Sequence, residues 1–367
     1  MTVLSFVLAF VGFALLVILH ELGHFSAAKA VGMRVERFSL FFPPTLFRKQ
    51  VGETEYAIGA IPLGGYVKIS GMNPDEDLPD EVRDRAYHAQ PVWKRIVVIA
   101  AGPAVNLVLA FLLLFVFFAA IGPEAPSKNV GSVVKGYPAA GVLKPGDRVV
   151  AVDGKRGPPE RLSNLINAHG CPGPKSTWKK GCRAAEPVTL EILRNGRTRI
   201  VKLTPTFDPT IGENGRIRVG FAYAAGPRED LSIGKALDVT ADRYWFITKS
   251  TIELPARLID PEQRKELSGV VGSYEVTRQT ILNQIEDVIG ILAIISLSLA
   301  IVNLFPFLPL DGGHIFWAIV EKVRRRPVPL SVMERAGAVG FLLVILVFLI
   351  GLSNDIDRLS GEGFRVR

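Results

Sequence analysis

His20-Glu21-Leu22-Gly23-His24 sets two imidazoles four residues apart with a carboxylate beside the first. On an α-helix, residues four apart share a face, so both rings reach one cation while Glu21 projects alongside. Zinc in such a setting lowers the pKa of a bound water to about 7, and the adjacent carboxylate takes the proton as a carbonyl is attacked. The chemistry expected of these residues is peptide hydrolysis, with Glu21 as catalytic base.

Hydrolytic zinc usually takes three protein ligands and leaves a position for water. His20 and His24 supply two. Asp311 is the best remaining candidate, in Asn303-Leu304-Phe305-Pro306-Phe307-Leu308-Pro309-Leu310-Asp311-Gly312-Gly313-His314. Pro306 and Pro309 withhold backbone donors and break a helix, which is tolerated at membrane depth only where protein or a watery cavity satisfies the freed carbonyls. Asn303 offers donors for a substrate backbone or a developing oxyanion, against the plain alternative of an interhelical hydrogen bond. His314 is a rival ligand; with Asp311 bound to the metal it stands behind the ligands or caps a helix. Asn106, in Gly102-Pro103-Ala104-Val105-Asn106, either hydrogen-bonds toward the site or serves a small-residue surface for helix packing.

These residues need elements to carry them. From Val3 to Leu19 there is no charged residue, and that run climbs about 25 Å of a hydrocarbon core about 30 Å thick. The histidines then lie toward the far face, followed by Lys29, Arg34 and Arg37, and the positive-inside bias makes that face cytoplasmic. A signal peptide would carry a basic start, which is lacking here. An ionised side chain in mid-membrane costs about 2.5 to 3.5 kcal/mol on insertion scales, whereas structural zinc binding reaches about 10 to 16 kcal/mol. A chance match in a core helix is the bland alternative.

With 367 residues, a hydrophobic content of 49% and a mean hydropathy of +0.29, the chain has room for several spans and a soluble domain. The expected fold is a polytopic α-helical membrane protein with four transmembrane helices, at residues 1–31, 92–121, 284–314 and 335–352. The net charge of +8 is partly gathered near span ends, in Lys94, Arg95, Lys322, Arg324, Arg325 and Arg326. No basic stripe interleaved with aromatics appears, so no nucleic-acid partner is expected. With the basic runs inside, both termini are extracytoplasmic, and the bilayer itself is a partner.

Residues 32–91 read as a cytoplasmic insertion with membrane-associated β-hairpins, on strands such as Glu55-Tyr56-Ala57-Ile58 and Gly65-Tyr66-Val67-Lys68-Ile69. A sheet edge there, at Gly65 and Tyr66, suits an unwound substrate bound by strand addition; a purely structural hairpin is the alternative. Residues 128–207 turn to short strands with turn signals and form a small α+β extracytoplasmic domain. Residues 231–283 carry apolar positions at helical spacing amid charge, an amphipathic extracytoplasmic helical segment. Cys171 and Cys182, the only cysteines, read as a disulfide outside the cytoplasm; free thiols are the alternative.

Gly141-Val142-Leu143-Lys144-Pro145-Gly146-Asp147, feeding the strand Arg148-Val149-Val150-Ala151-Val152 and ending in Asp153-Gly154, resembles the PDZ family, which implies a groove for a peptide ligand. With the His-Glu-x-x-His, the Ala-Gly-Pro-x-x-Asn of the second span and the Leu-Asp-Gly-Gly of the third, nearly the whole chain resembles the site-2 protease family, in particular its bacterial envelope-stress group. That resemblance implies zinc on His20, His24 and Asp311, Glu21 as the catalytic glutamate and Asn303 as a substrate contact. It also implies an inner-membrane enzyme that cuts single-span proteins such as anti-sigma factors. Two departures are visible. Pro309 lies one residue later than the family's second proline, and one PDZ-like repeat is present where some relatives carry two.

Competing classes are a non-catalytic membrane PDZ scaffold with a structural metal, which requires a closed four-ligand site, and a metal transporter, which the lack of repeated halves disfavours.

Overall fold

A largely apolar run without proline makes α1 (Thr2–Ala30), the first element of a computed structural model that describes residues 2–73, 76–209, 215–260, 264, 267, 269–283 and 285–360. The helix stops at Gly32, whose φ of +84° suits a residue without a side chain. Met33 N–H then reaches back to the Ala28 carbonyl at 2.9 Å, and the Met33 side chain is fully buried beneath that turn.

Two long strands follow, β1 (Val35–Val51) and β2 (Thr54–Ile69). They are folded on themselves. Arg37, Phe38, Ser39 and Leu40 face Lys68, Val67, Tyr66 and Gly65 on one side, and Glu55, Tyr56, Ala57 and Ile58, in that order, on the other. Arg48 to Val51 pair with Ala57 to Thr54 beyond that. The result is a small sheet with Gly65–Ile69 at one edge. Glu53, in the turn, binds Lys29 Nζ at 2.7 Å and both Nη atoms of Arg85 at 2.8 and 2.9 Å, which ties the turn to the end of α1. At the other end the Phe41 ring meets Phe10 at 5.7 Å. The insertion therefore runs back along α1, past the level of the histidines.

Helix α2 (Val92–Val116) continues as a π-helical turn, Phe117–Ile121. The compact unit Ile121–Leu231 comes next, longer at both ends than the expected 128–207. Its main sheet has the order β10-β3-β4-β6-β7, built from β3 (Glu124–Val133), β4 (Arg148–Val152), β6 (Val188–Arg194), β7 (Arg197–Leu203) and β10 (Phe221–Arg228). The short β5 (Lys155–Arg156) pairs with β4, and β8 (Thr206–Asp208) pairs with β9 (Arg216–Arg218). Helix α3 (Pro159–Asn167) covers the sheet, and Val130, Val149, Val152, Leu162, Val188, Leu190 and Ile192 fill the core. Asp153 and Gly154 both take positive φ, as a two-residue hairpin between β4 and β5 demands. Asp147 explains the Lys-Pro-Gly-Asp turn: nearly buried, it accepts the Lys144 N–H at 2.8 Å and the Arg194 guanidinium at 2.6 Å, and Arg194 holds its carboxyl below the usual carboxylate range.

The chain then returns to the first unit, Met1–Ala120 with Ser232–Arg367. Helix α4 (Ile233–Ile252) buries Ala236, Thr240, Ile247 and Thr251 and leaves Ile233, Trp245 and Phe246 exposed, and Tyr244 donates to the Leu107 carbonyl of α2 at 3.2 Å. Helix α5 (Val270–Asn283) is capped from afar, because Asp355 accepts the Gly269 and Gly272 N–H groups at 3.1 and 2.7 Å. Helices α6 (Val288–Asn303), α7 (Asp311–Arg324) and α8 (Leu330–Ser360) complete the unit.

Among the described residues three helical stretches are long and apolar enough to cross a membrane: Phe10–Ala30, Val92–Ile121 and Ser331–Asp357. Val288–Asn303 is equally apolar but has 16 residues, a rise of about 24 Å against a hydrocarbon core of about 30 Å. Gln284, the first residue expected of a third span, lies outside the described residues.

Candidate metal centre

Helix α1 brings His20 and His24 to one face, 6% and 8% exposed. Their Nε2 atoms are 3.3 Å apart. Asp311, the first residue of α7, reaches them from the other end of the chain, with Oδ2 at 3.2 Å from His20 Nε2 and 3.3 Å from His24 Nε2. Three acceptors thus form a nearly equilateral triangle. A tetrahedral ion with ligand bonds of about 2.0 to 2.1 Å has edges of about 3.3 to 3.4 Å, so the triangle matches one face of zinc coordination. The donor set, two imidazoles and a carboxylate, is also one that hydrolytic zinc uses.

A second contact orients one of the rings. His24 Nδ1 donates to the Val98 carbonyl at 2.9 Å, which leaves its Nε2 lone pair for a cation. His20 Nδ1 is buried with no hydrogen-bond partner among the described residues. Helix α2 crosses α1 at near backbone contact: a methyl group on Gly23 would lie 2.6 Å from the Ala101 carbonyl oxygen, and one on Gly102 would overlap the His24 imidazole. Small residues permit that approach.

Asp311 is placed by the broken segment before it. Leu304 to Leu310 turns twice, with Phe307 N–H on the Phe305 carbonyl at 2.8 Å and Leu310 N–H on the Phe307 carbonyl at 2.9 Å. Side chains at Gly312 and Gly313 would overlap the backbone of Leu304 and of Phe307 and Leu308, so the two glycines let α7 start directly against that loop.

Glu21 stands beside the triangle, and a methyl group on Gly65 would be 2.9 Å from Glu21 Cγ. Gly65, at the start of the edge strand Gly65–Ile69, therefore lies directly against the glutamate; on its outer side that strand has no partner strand among the described residues. Next along, Tyr66 receives a hydrogen bond from Arg37 at 3.1 Å and stacks on Phe42 at 6.0 Å. His314 follows Asp311 on the same side of α7 and is half-buried. Asn303 ends α6, also half-buried. Asn106 is fully buried, with neither amide atom paired among the described residues. The structure joins Cys171 to Cys182 in the second unit, packed with Trp178, Phe207 and Ile217.

The small-residue stretch at Gly102 signals close helix contact in the sequence but does not identify Gly102 as the neighbour of His24. Val98 has no signal in the sequence, since its contact with His24 is made by a backbone carbonyl.

Comparisons with known proteins follow the same lines. A family model described as peptidase family M50 matches residues 8–347. The chain is 32% identical over 354 residues to a candidate zinc metalloprotease of Clostridium perfringens, covering 95% of this chain and 98% of that one. It is 31% identical over 353 residues to a similarly named protein of a Nostoc species, with 92% and 91% covered. To metalloprotease MmpA of Caulobacter vibrioides it is 29% identical over 384 residues, with 94% and 93% covered.

Proposed function

The chain belongs to peptidase family M50, the site-2 proteases, and is a zinc metalloprotease of the membrane; on that premise we propose that His20, His24 and Asp311 hold the zinc and that Glu21 is the catalytic base. The observation that carries the assignment is the triangle of acceptor atoms with sides of 3.2 to 3.3 Å. Zinc bound there supplies a Lewis acid that polarises a peptide carbonyl and acidifies water. Everything else is the work of the chain. Glu21 takes the proton from the attacking water and returns it to the departing amine. Val98 fixes the tautomer of His24, and His314, three residues on from Asp311, stands behind the ligands. Asn303 donates to the substrate backbone or to the oxyanion as it develops.

The substrate on this reading is a single-span membrane protein such as an anti-sigma factor, cut in or near its span. An extended stretch of it adds to the open edge at Gly65 and Tyr66, where main-chain hydrogen bonds hold it against Glu21 whatever its side chains. The enzyme sits in the bacterial inner membrane with four spans, the centre toward the cytoplasm and both termini outside. The second unit acts as a PDZ-like domain. A cavity of about 280 Å³ between α3 and Arg216–Tyr223, lined by Ile166, Asn167, Val219 and Phe221, supports a peptide ligand there.

Metal analysis of purified wild type, His20→Ala and Asp311→Asn, paired with cleavage of a transmembrane reporter, tests the assignment. Zinc near one equivalent in wild type and a sharp loss in both variants is expected. Equal zinc in all three would overturn it.

A further inference from the structure

The two ligand-bearing pieces, α1 and α7, are joined through one face of α2. Arg95, Val98 and Gly102 lie three and four residues apart along that face. Val98 and Gly102 engage His24 on α1, by a hydrogen bond and by close packing. Arg95 engages α7: its two Nη atoms donate to the two carboxylate oxygens of Glu321 at 2.9 and 2.7 Å. Arg95 is 8% exposed and its guanidinium lies over the Tyr87 ring at 5.9 Å, so the pair is a sheltered one with fixed geometry.

Helix α7 needs such a fixture. The loop Leu304–Leu310 separates it from α6, so α6 does not prolong into the segment that carries Asp311. The glycines Gly312 and Gly313 seat its first turn against that loop, which leaves the tilt of the helix to be set farther along. Glu321 is ten residues on from Asp311, about 15 Å along the axis, where a small displacement changes the direction of the whole helix. Ile315 packs against the cluster of Ala28, Met33, Val98 and Ile99, but apolar packing tolerates sliding in a way that a two-pronged ion pair does not.

We infer that the Arg95–Glu321 pair is a positioning device for the metal centre: it docks α7 on the helix that already holds His24, and so sets the distance between Asp311 and the imidazoles. The inference rests on the reading of His20, His24 and Asp311 as zinc ligands. Arg95 and Glu321 act through Asp311 and touch neither metal nor substrate.

The test uses the full-length protein in detergent and reads the metal itself. Zinc affinity is measured by competition with a chelator, and geometry by the visible absorption of the cobalt-substituted protein, for wild type, Arg95→Met, Glu321→Gln, Arg95→Met/Glu321→Met and Asp311→Asn. The expected result is a loss of zinc affinity of about 10- to 100-fold in each single variant, with an altered cobalt spectrum. The double variant should lose about as much as either single one, because the pair acts as a unit. Folded single variants with wild-type affinity and spectrum would overturn the inference, as would a double variant that recovers both. Asp311→Asn separates the two levels: wild-type zinc affinity in that variant defeats the ligand assignment itself. Should the single variants fail to fold, Glu321→Asp keeps the charge and shortens the reach by one methylene; an unchanged cobalt spectrum there overturns the inference, and a shifted one supports it.

Discussion

Gly102 presses its backbone against the imidazole of His24 so closely that a side chain at that position would occupy the space of the ring. Backbone on the other helix cannot retreat easily, because Gly23 is packed just as tightly on Ala101. Gly102→Ala is therefore expected to turn His24 away from Asp311 while the helices stay intact. Zinc retention after dialysis against a graded chelator should fall at least about tenfold; retention equal to wild type would mean the ring has room that the structure does not give it.

Glu21→Gln removes the proposed base and leaves the three acceptors in place. Zinc content is expected to match wild type, and turnover of a single-span reporter to drop by about 10²- to 10⁴-fold. Undiminished cleavage would remove Glu21 from the mechanism.

Gly65→Ala puts a methyl group 2.9 Å from Glu21 Cγ, on the strand proposed to receive substrate. Zinc binding should be unaffected and kcat for the reporter should fall, since the displaced carboxylate is no longer held where the proton must go. Normal kcat would show that the edge and the glutamate are less tightly coupled than their packing requires.

Acid sensitivity should trace to the tie at Glu53. Arg85 and Lys29 hold its carboxyl down at about 2, against an ordinary value of 4.5. A depressed carboxylate contributes stability that is fully present above 4.5 and is lost as the pH falls through about 2. The group is a third exposed, so solvent screening keeps the contribution small. Thermal unfolding in detergent should show Glu53→Gln less stable than wild type near neutrality, with the gap closing toward pH 2. A gap independent of pH would place the effect elsewhere.

Cys171→Ser/Cys182→Ser opens a loop with a sequence separation of 11, worth about 3 kcal/mol in the chain-entropy account. Limited proteolysis of the variant is expected to nick the segment between the two positions, while zinc content stays at the wild-type level. A protease-resistant variant would mean that Trp178, Phe207 and Ile217 hold the insert without the bond.

The proposed ligands were legible because they violate their surroundings: charged and imidazole groups inside apolar runs, at helical spacing, have few uses. Asp311 could be named from one feature, a carboxylate just past a proline-broken span. The sheet of the insertion was legible only as hairpins. Alternation identifies a strand but not how many neighbours it has, and Arg37–Leu40 is paired on both sides. The second unit extends to Leu231 rather than residue 207 because β10, after a turn at Gly220, returns to pair with β3. The pair of Arg95 and Glu321 was hidden for a different reason. Each residue sits in a basic or mixed run near a helix end, where charge is ordinary, and only the packing of α7 on α2 turns the two into partners.

Where substrate adds as proposed, the side of Gly65–Ile69 that has no partner strand among the described residues also limits what the enzyme can take. Such an edge recognises peptide groups, and a membrane helix has none to offer while its own ladder is intact. On the proposed reading a target must give up several internal bonds before it gains any here, so the weakest stretch of its span, where glycine, proline or a polar residue loosens the winding, would decide where it is cut. Selection then falls on how readily a helix comes apart, and only secondarily on the letters it contains.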